Sequence, residues 1–478
     1  MSESLDLPSG PLAPAAPPPG FWATIREALR GSRMDYTEGP IGRAILLLAI
    51  PMVLEMVLES VFAVVDVFWV AHLGADAVAT VGITESMLAL LYAIAIGLSM
   101  GAAATVARRI GEKNPDGAAR AAVSSIALGI SIAVPIGIAG FLLGPRLLAL
   151  MGGSPELVRA GSGFTRIMLG FNVVIVLLFL INAIFRGAGD AAIAMRVLWL
   201  ANIINLILDP CFIFGLGPFP KLGVMGAAVA TTCGRGSAVL VQLATLARGR
   251  GRIVIRREHW KIEPAAMWRL FRISANGIVQ AAIGTASWIG LVRIISMFGS
   301  AALAGYTIGI RIIVFAILPS WGLSNAGATL VGQNLGAGKP DRAEKSVRIA
   351  GLYNMAFLGC IGALFVLFAE PLIRLFTADP AIVPIGASCL RTVSYGFLFY
   401  AWGMVITQAF NGAGDTFTPT VINLFCFWLW EIPIAYVLSR YTGLGVRGAF
   451  LAITIAFSTL AVVSFLVFRR GKWKTTKV

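Results

Sequence analysis

Three carboxylates, Glu55, Glu59 and Asp66, stand in one long apolar run and fall within about 40° of each other on a helix of 100° per residue. A second apolar run carries Asn202, Asn205 and Asp209 within about a 60° arc by the same geometry. Carboxylates, amides and hydroxyls converging from such faces can share a proton or supply the hard oxygen ligands of a small cation. A charge at the centre of a bilayer costs about 2.5–3.5 kcal/mol on insertion scales, so each ionisable group kept there is a functional candidate. No catalytic pattern competes. HExxH and a His-rich cluster are absent, the one GxSxG match, Gly97-Leu98-Ser99-Met100-Gly101, falls inside an apolar span instead of a strand-to-helix turn, His72 and His259 lie far apart, and Cys211, Cys233, Cys360, Cys389 and Cys426 stand singly. The expectation is a protein that is not an enzyme, has no organic cofactor, and holds no metal beyond a Na⁺ at the acidic cluster.

The elements that must position these groups are membrane helices. Of 478 residues, 58% are apolar and 13% charged, with mean hydropathy +0.85, and runs of about twenty apolar residues, enough to cross a bilayer core, recur throughout. Gly, Pro and charge breaks divide the chain into twelve spans, near 44–71, 80–104, 121–143, 160–184, 191–214, 223–247, 274–298, 304–330, 349–369, 386–410, 416–439 and 447–468. The net charge is +15, from 38 basic and 23 acidic residues. With the N-terminus inside, 26 of the 38 lysines and arginines fall on cytoplasmic segments, as the positive-inside rule requires. Topology therefore explains the basicity, both termini are expected in the cytoplasm, and nucleic acid is not an expected partner. Prolines crowd Pro8 to Pro19, and a basic amphipathic piece follows from Phe21 to Arg33, which reads as a disordered tail and a surface-lying helix without a cleaved signal.

The two halves repeat. At an offset of 225, Arg186-Gly187-Ala188-Gly189-Asp190 returns as Asn411-Gly412-Ala413-Gly414-Asp415, and Gly111, Pro115, Asp116 and Ala118 return as Gly336, Pro340, Asp341 and Ala343. Near the end of each half the offset is 222, between Gly223 to Ala227 and Gly445 to Ala449, which places about three extra residues in the last external loop of the first half. Six spans used twice enter the membrane the same way, so the fold class is an all-α polytopic membrane protein of twelve transmembrane helices in two parallel six-helix repeats. The parts are a Pro-rich tail and surface helix (1–40), an N-lobe (41–247), a cytoplasmic linker (248–273), a C-lobe (274–468) and a basic tail (469–478).

Val331-Gly332-Gln333-Asn334-Leu335-Gly336-Ala337, followed by Pro340 and Ala343, resembles the cytoplasmic loop after span 8 of the multidrug and toxic-compound extrusion (MATE) family. Arg186 to Asp190 resembles that family's loop after span 4, and the likeness extends over about residues 40–465. It implies H⁺- or Na⁺-coupled export of bulky, often cationic amphipathic compounds by two rocking lobes; a bacterial cytoplasmic (inner) membrane fits the absence of organellar signals, and a monomer is expected. It also implies that Asp66, Asn205, Asp209 and Thr231 form an N-lobe cation site and that Pro51 is a bend point in span 1. Pro51 is equally a static kink from the missing hydrogen bond. Carboxylates with amide and hydroxyl oxygens suit a proton or Na⁺ alike.

Glu55, Glu59, Asn202 and Glu431 are the cavity-lining candidates beyond that pattern. Glu55 and Glu59 either extend the acidic face or pair with Arg166, Arg196 or Arg235. At offset 225 Asp66 maps to Leu291, and Asn205 and Asp209 map to Trp430 and Ile434, so one cation site, in the N-lobe, is expected. Glu431 sits one position from this register and either meets substrate or pairs with Arg293 or Arg391. Five aromatics of span 10, Tyr395, Phe397, Phe399, Tyr400 and Trp402, read mainly as membrane-facing residues. Arg186, Asp190, Asn411 and Asp415 read as loop clamps. The rival transporters are a lipid-linked oligosaccharide flippase of the same superfamily, which would need a cationic cavity, and a major-facilitator symporter, whose charged loop after span 2 differs from Arg108 to Arg120.

Overall fold

The computed structural model describes residues 20–261, 263–476 and 478, and within its first long helix gives no account of the side chains of residues 63, 64, 66 and 67. The proline-rich segment expected as a tail lies outside the described residues. A short helix, α1 (Phe21–Arg30), leaves Phe21 and Trp22 exposed. The first half then comprises α2 (Ile41–Ala71), α3 (Ala75–Gly111), α4 (Pro115–Leu150), α5 (Pro155–Gly170), α6 (Asn172–Ala188), α7 (Ala191–Phe214) and α8 (Val224–Arg248). The second comprises α9 (Pro264–Ser296), α10 (Ser300–Gly336), α11 (Pro340–Leu367), α12 (Ala369–Arg374), α13 (Val383–Ser394) and α14 (Phe397–Ala413). It closes with α15 (Phe417–Asn423), a π-helical stretch Leu424–Glu431, α16 (Ile432–Tyr441) and α17 (Val446–Arg469). Among the described residues eleven helical segments are long and apolar enough to cross a membrane, and the α13–α14 pair, bent by 54°, makes the twelfth span. The helices run past the apolar stretches because caps lie beyond them: Asn114 accepts from the Gly117 N–H at 2.8 Å and Ser154 from the Leu157 N–H at 3.2 Å, each just before a proline at the first helical position.

The repeated glycines are explained by close approach. A Cβ on Gly111 would collide with the Gln333 carbonyl, and one on Gly336 with the Arg108 carbonyl, which is the same contact at offset 225. Gly97 presses on the backbone of Ile278 and Gly322 on that of Met52 and Val53, a second pair related by the same operation. A third joins Gly187 to Ala103 and Gly412 to Ala328 within the lobes. Gly189 and Gly414 close their helices with φ of +90° and +88°, where a side chain would be strained. The repeated Gly-Ala-Gly thus encodes one close crossing and one left-handed cap.

Span 1 is shared between lobes. Ala44, Ile45, Leu48 and Met52 of α2 are buried in one core with Leu330, Val331 and Val347, whereas Leu270 at the start of α9 is buried with Val106, Ile126 and Leu180. The first helix of each repeat therefore starts in the opposite bundle's core, and α2 passes Pro51 unbroken where it leaves that core.

The face carrying both termini is sealed. Among the described residues every hydrogen bond between the lobes lies there, including Gln333 Nε2 to the Gly187 carbonyl at 2.9 Å and Thr329 Oγ1 to the Arg186 carbonyl at 3.2 Å. The segment before α2 staples both sides. Tyr36 is buried, with its hydroxyl toward the Gly189 carbonyl and the Arg252 guanidinium 4.7 Å above its ring, while Lys339 and Arg342 donate to the carbonyls of Thr37 and Glu38. Burial pushes the Tyr36 hydroxyl up to about 12, so it stays a donor at physiological pH. The C-terminal tail adds a strap in which Trp473 is buried and Arg108 donates to the Thr476 carbonyl at 2.7 Å.

Gly97→Leu or Gly322→Leu is expected to destabilise the protein by about 1–3 kcal/mol through overpacking, whereas Gly236→Ala, with open space around it, is expected to be neutral. Thermal unfolding in detergent reads the difference. Equal midpoints for all three variants would contradict the close-crossing explanation.

Candidate functional site

Asn205, Asp209 and Thr231 meet between α7 and α8. Asn205 and Asp209 are one turn apart and both buried. Gly234 lets α8 press onto the Ala201 carbonyl and the Asn205 backbone, which brings Thr231, a turn earlier, against the Asn205 amide. With the amide nitrogen toward Asp209 Oδ2 at 2.7 Å, its oxygen accepts from the Thr231 hydroxyl and backbone N–H, both at 3.0 Å. The opposite rotamer would oppose two N–H groups, so this orientation is the satisfied one. The side chain of Asp66 lies outside the described residues. Asn202 is buried on the same face of α7, its Nδ2 lacks a hydrogen-bond partner, and it lines neither of the two large cavities described below.

Glu55 and Glu59 do line a cavity, of about 130 Å³, between the two bundles, with Trp321, Asn325 and Thr329 on the opposite wall. Glu55 is paired, but not with any of the three arginines expected. Arg186 Nη1 reaches Glu55 Oε1 at 2.7 Å, and Asn182 Nδ2 reaches the same oxygen at 3.1 Å. Asn182 in turn accepts from Gln242 Nε2 at 2.7 Å. Arg186 is thus corrected from loop clamp to cavity residue, because the last turn of α6 points it inward. Its spacing from Asn182, i to i+4, was the signal available. Glu59 meets Arg235 at 3.7 Å, as one expectation had it, and Arg235 also donates to the Tyr92 hydroxyl at 3.1 Å. The loop-clamp reading fits the aspartates: Asp190 Oδ2 accepts from the Arg252 N–H at 2.6 Å, and Asp415 accepts from the Thr418 N–H and hydroxyl.

A larger cavity, about 460 Å³, lies in the second bundle and adjoins the first, since Ile96, Met100, Trp321 and Gln408 line both. Glu431 lines it and is 3% exposed. Neither Arg293 nor Arg391 pairs with it: both are exposed, and among the described residues no ion pair involves Glu431. The span-10 aromatics divide, with Tyr395 and Phe399 exposed, Phe397 in the core, and Tyr400 on the cavity wall stacked on Phe457 at 4.0 Å.

The π-helical stretch corrects the register of Glu431. Gly226 abuts Phe212 and Ile213, and its counterpart Gly448 abuts Leu438 and Ser439, so after the π-helix the offset of this span is 226. One extra residue has been accommodated by the wider turn. Asn205 plus 226 is Glu431, and Asp209 plus 226 is Ala435, in place of Trp430 and Ile434. The drop from 226 to the 222 that relates Gly226 to Gly448 makes the first half's last loop longer by four residues, one more than expected.

Comparison with known proteins agrees with this architecture. The MatE family model matches residues 51–211 and 278–437. The probable multidrug resistance protein NorM of Thermotoga maritima is 28% identical over 469 residues, covering 95% of this chain and 98% of that one. The FAD transporter of Shewanella oneidensis is 26% identical over 450 residues, covering 92% and 96%. A multidrug resistance MATE family transporter solved in an outward-facing conformation superposes with a TM-score of 0.86 at 27% identity, covering 93% of this chain and 100% of that one.

The Glu55 pairing yields a stability test. Arg186→Ala should cost about 3–5 kcal/mol by leaving a buried carboxylate unpaired, and adding Glu55→Gln should recover much of it. If thermal unfolding finds Arg186→Ala no worse than Arg374→Ala, which breaks an exposed pair, the ion pair does not support the fold.

Proposed function

The chain belongs to the MatE family of transporters, and from that footing we propose that it is a multidrug efflux antiporter in which inward H⁺ or Na⁺ flux drives organic compounds outward. The observation that carries the coupling is the buried Asn205–Asp209–Thr231 cluster on α7 and α8. A carboxylate held there by an amide and deprived of water takes up a proton or a small cation to lower its cost in the membrane. Asp66 joins it from α2 in this reading.

In this proposal the protein lies in a bacterial cytoplasmic (inner) membrane with both termini in the cytoplasm, a topology that the positive-inside distribution supports. The sealed face is then cytoplasmic, and the conformation is outward-open. Cation binding to Asp66 and Asp209 acts on the part of α2 beyond Pro51, while the part before it is buried against α10 and α11 of the other bundle. A change of packing at the site is thereby passed across the lobe boundary, with Pro51 as the hinge. Coupling requires that the cation bind the outward and inward states with different affinities.

The substrate class follows from charge. The central cavity is lined by Glu55, Glu59 and Arg186, and among the described residues Glu431 is the one charged residue lining the adjoining one. Glu55 and Glu59 are offset by Arg186 and Arg235, so the sign is carried by Glu431 in the adjoining cavity, which suits organic cations and disfavours the pyrophosphate of a lipid-linked sugar or of FAD. In this proposal the transporter works as a monomer, with each chain carrying a full path.

Efflux from proteoliposomes, with a pH gradient and a Na⁺ gradient imposed separately, tests the coupling. One gradient is expected to drive transport, and Asp209→Asn and Asp66→Asn are each expected to lower the driven rate at least about tenfold, of the order of 1.4 kcal/mol or more in coupling. Wild-type rates in both variants would remove the N-lobe site from the mechanism.

A further inference from the structure

Resting on the efflux reading above, we propose that the C-lobe cavity is a binding site for a planar organic cation, with the Glu431 carboxylate as its counter-charge. Glu431 is almost wholly buried, faces a cavity of drug-like size, and has no lysine, arginine or histidine partner among the described residues. The ionisable groups that interact with it are the hydroxyls of Tyr306 from α10 and Tyr400 from α14 and the thiol of Cys426 from its own turn, none of them cationic. On α9 and α17, which also pack against this stretch, Arg293 and Arg447 are outside the cavity wall. A carboxylate so placed is left for something that arrives with a positive charge or a proton.

Three further polar atoms on the same wall lack hydrogen-bond partners: Gln280 Oε1 from α9, Tyr306 Oη from α10 and Asn423 Oδ1 from α15. Native interiors leave few buried polar groups unsatisfied, and the residues that carry these three line one space from separate elements. Two of the three are pure acceptors at the atom concerned, and with Glu431 they form an acceptor-rich lining that calls for a donor-bearing ligand. Tyr400, stacked on Phe457, supplies with Phe427 and Trp288 the flat apolar and cation–π surface that a planar cation needs.

The repeat gives the position its meaning. The extra residue of the π-helix turns Glu431 into the place of Asn205, so the two lobes present polar groups at one equivalent point. In the N-lobe that point is an amide serving Asp209 and Thr231. In the C-lobe it is an acid facing a cavity with Ala435 where Asp209 would stand, and the second site is thereby shaped for a large cation in place of a small one.

The test is equilibrium binding of ethidium to the purified full-length protein, followed by fluorescence without any ion gradient. Wild-type protein is expected to bind saturably, Glu431→Gln to weaken binding at least tenfold, Gln280→Leu to weaken it several-fold, and Glu431→Asp to restore part of the loss. Glu156→Gln, which removes an exposed carboxylate on α5, should bind as wild type does. Unchanged affinity in Glu431→Gln at an unchanged thermal midpoint, or no saturable binding by wild type, overturns the proposal. Because binding is read without transport, Glu431-dependent binding in a protein that no gradient drives would count against the antiport reading alone.

Discussion

A carboxylate inside a bilayer must be paired, protonated or bound to a cation, and the arrangement of this protein follows from how Glu55, Glu59, Asp209 and Glu431 meet that demand. Glu55 is met by Arg186 and Asn182, and Glu59 by Arg235. Asp209 is held by the Asn205 amide in a pocket closed by Thr231. Glu431 faces a cavity with no basic partner among the described residues. The first two have arginine partners, and in the proposed mechanism the last two are where a mobile cation or proton acts.

The scaffold around them is a repeated set of backbone contacts. Gly111 on Gln333 and Gly336 on Arg108 at the face with the termini, with Gly97 on Ile278 and Gly322 on Met52 deeper in the helices, bring two bundles together through small, non-directional contacts. Such crossings depend on the absence of a side chain rather than on a network of strong bonds, so they can separate and reform without leaving charges stranded. The staple at Tyr36 and the strap at Trp473 lie across the same seam. Because the early turns of α2 and α9 sit in each other's bundle, movement of one lobe necessarily loads the first helix of the other.

Much of this was legible before any coordinates. The offset of 225 between Gly187-Ala188-Gly189 and Gly412-Ala413-Gly414 gives the two six-span repeats from the sequence alone, while the crossings and left-handed caps that these glycines serve emerge only from the packing. Asn205 and Asp209, four residues apart on one helix, declared a shared face by period alone, and Thr231 came from the family likeness. What escaped the reading depends on events without a one-dimensional signature. The π-helix shifts the register by one without a gap in the apolar run, so Glu431 looked displaced from a site it occupies. Arg186 sits at the last turn of α6 beside a loop motif, and only the packing of α6 on α2 sends its guanidinium inward to Glu55. The crossing of α2 and α9 between bundles is likewise set by packing that no local pattern records.

The claim on which the mechanism rests is that the charge state of the α7 and α8 site sets the balance between closed and open states of the cytoplasmic seam. Residues 120 and 345 are exposed and lie at equivalent positions of the two repeats, one on each bundle. Spin labels at Arg120→Cys and Lys345→Cys, with the five native cysteines replaced, report their separation by pulsed electron paramagnetic resonance in liposomes. The distance distribution is expected to change when the coupling cation is added to otherwise wild-type protein and to stay fixed in Asp209→Asn. An identical response in Asp209→Asn would contradict the assignment of the coupling site.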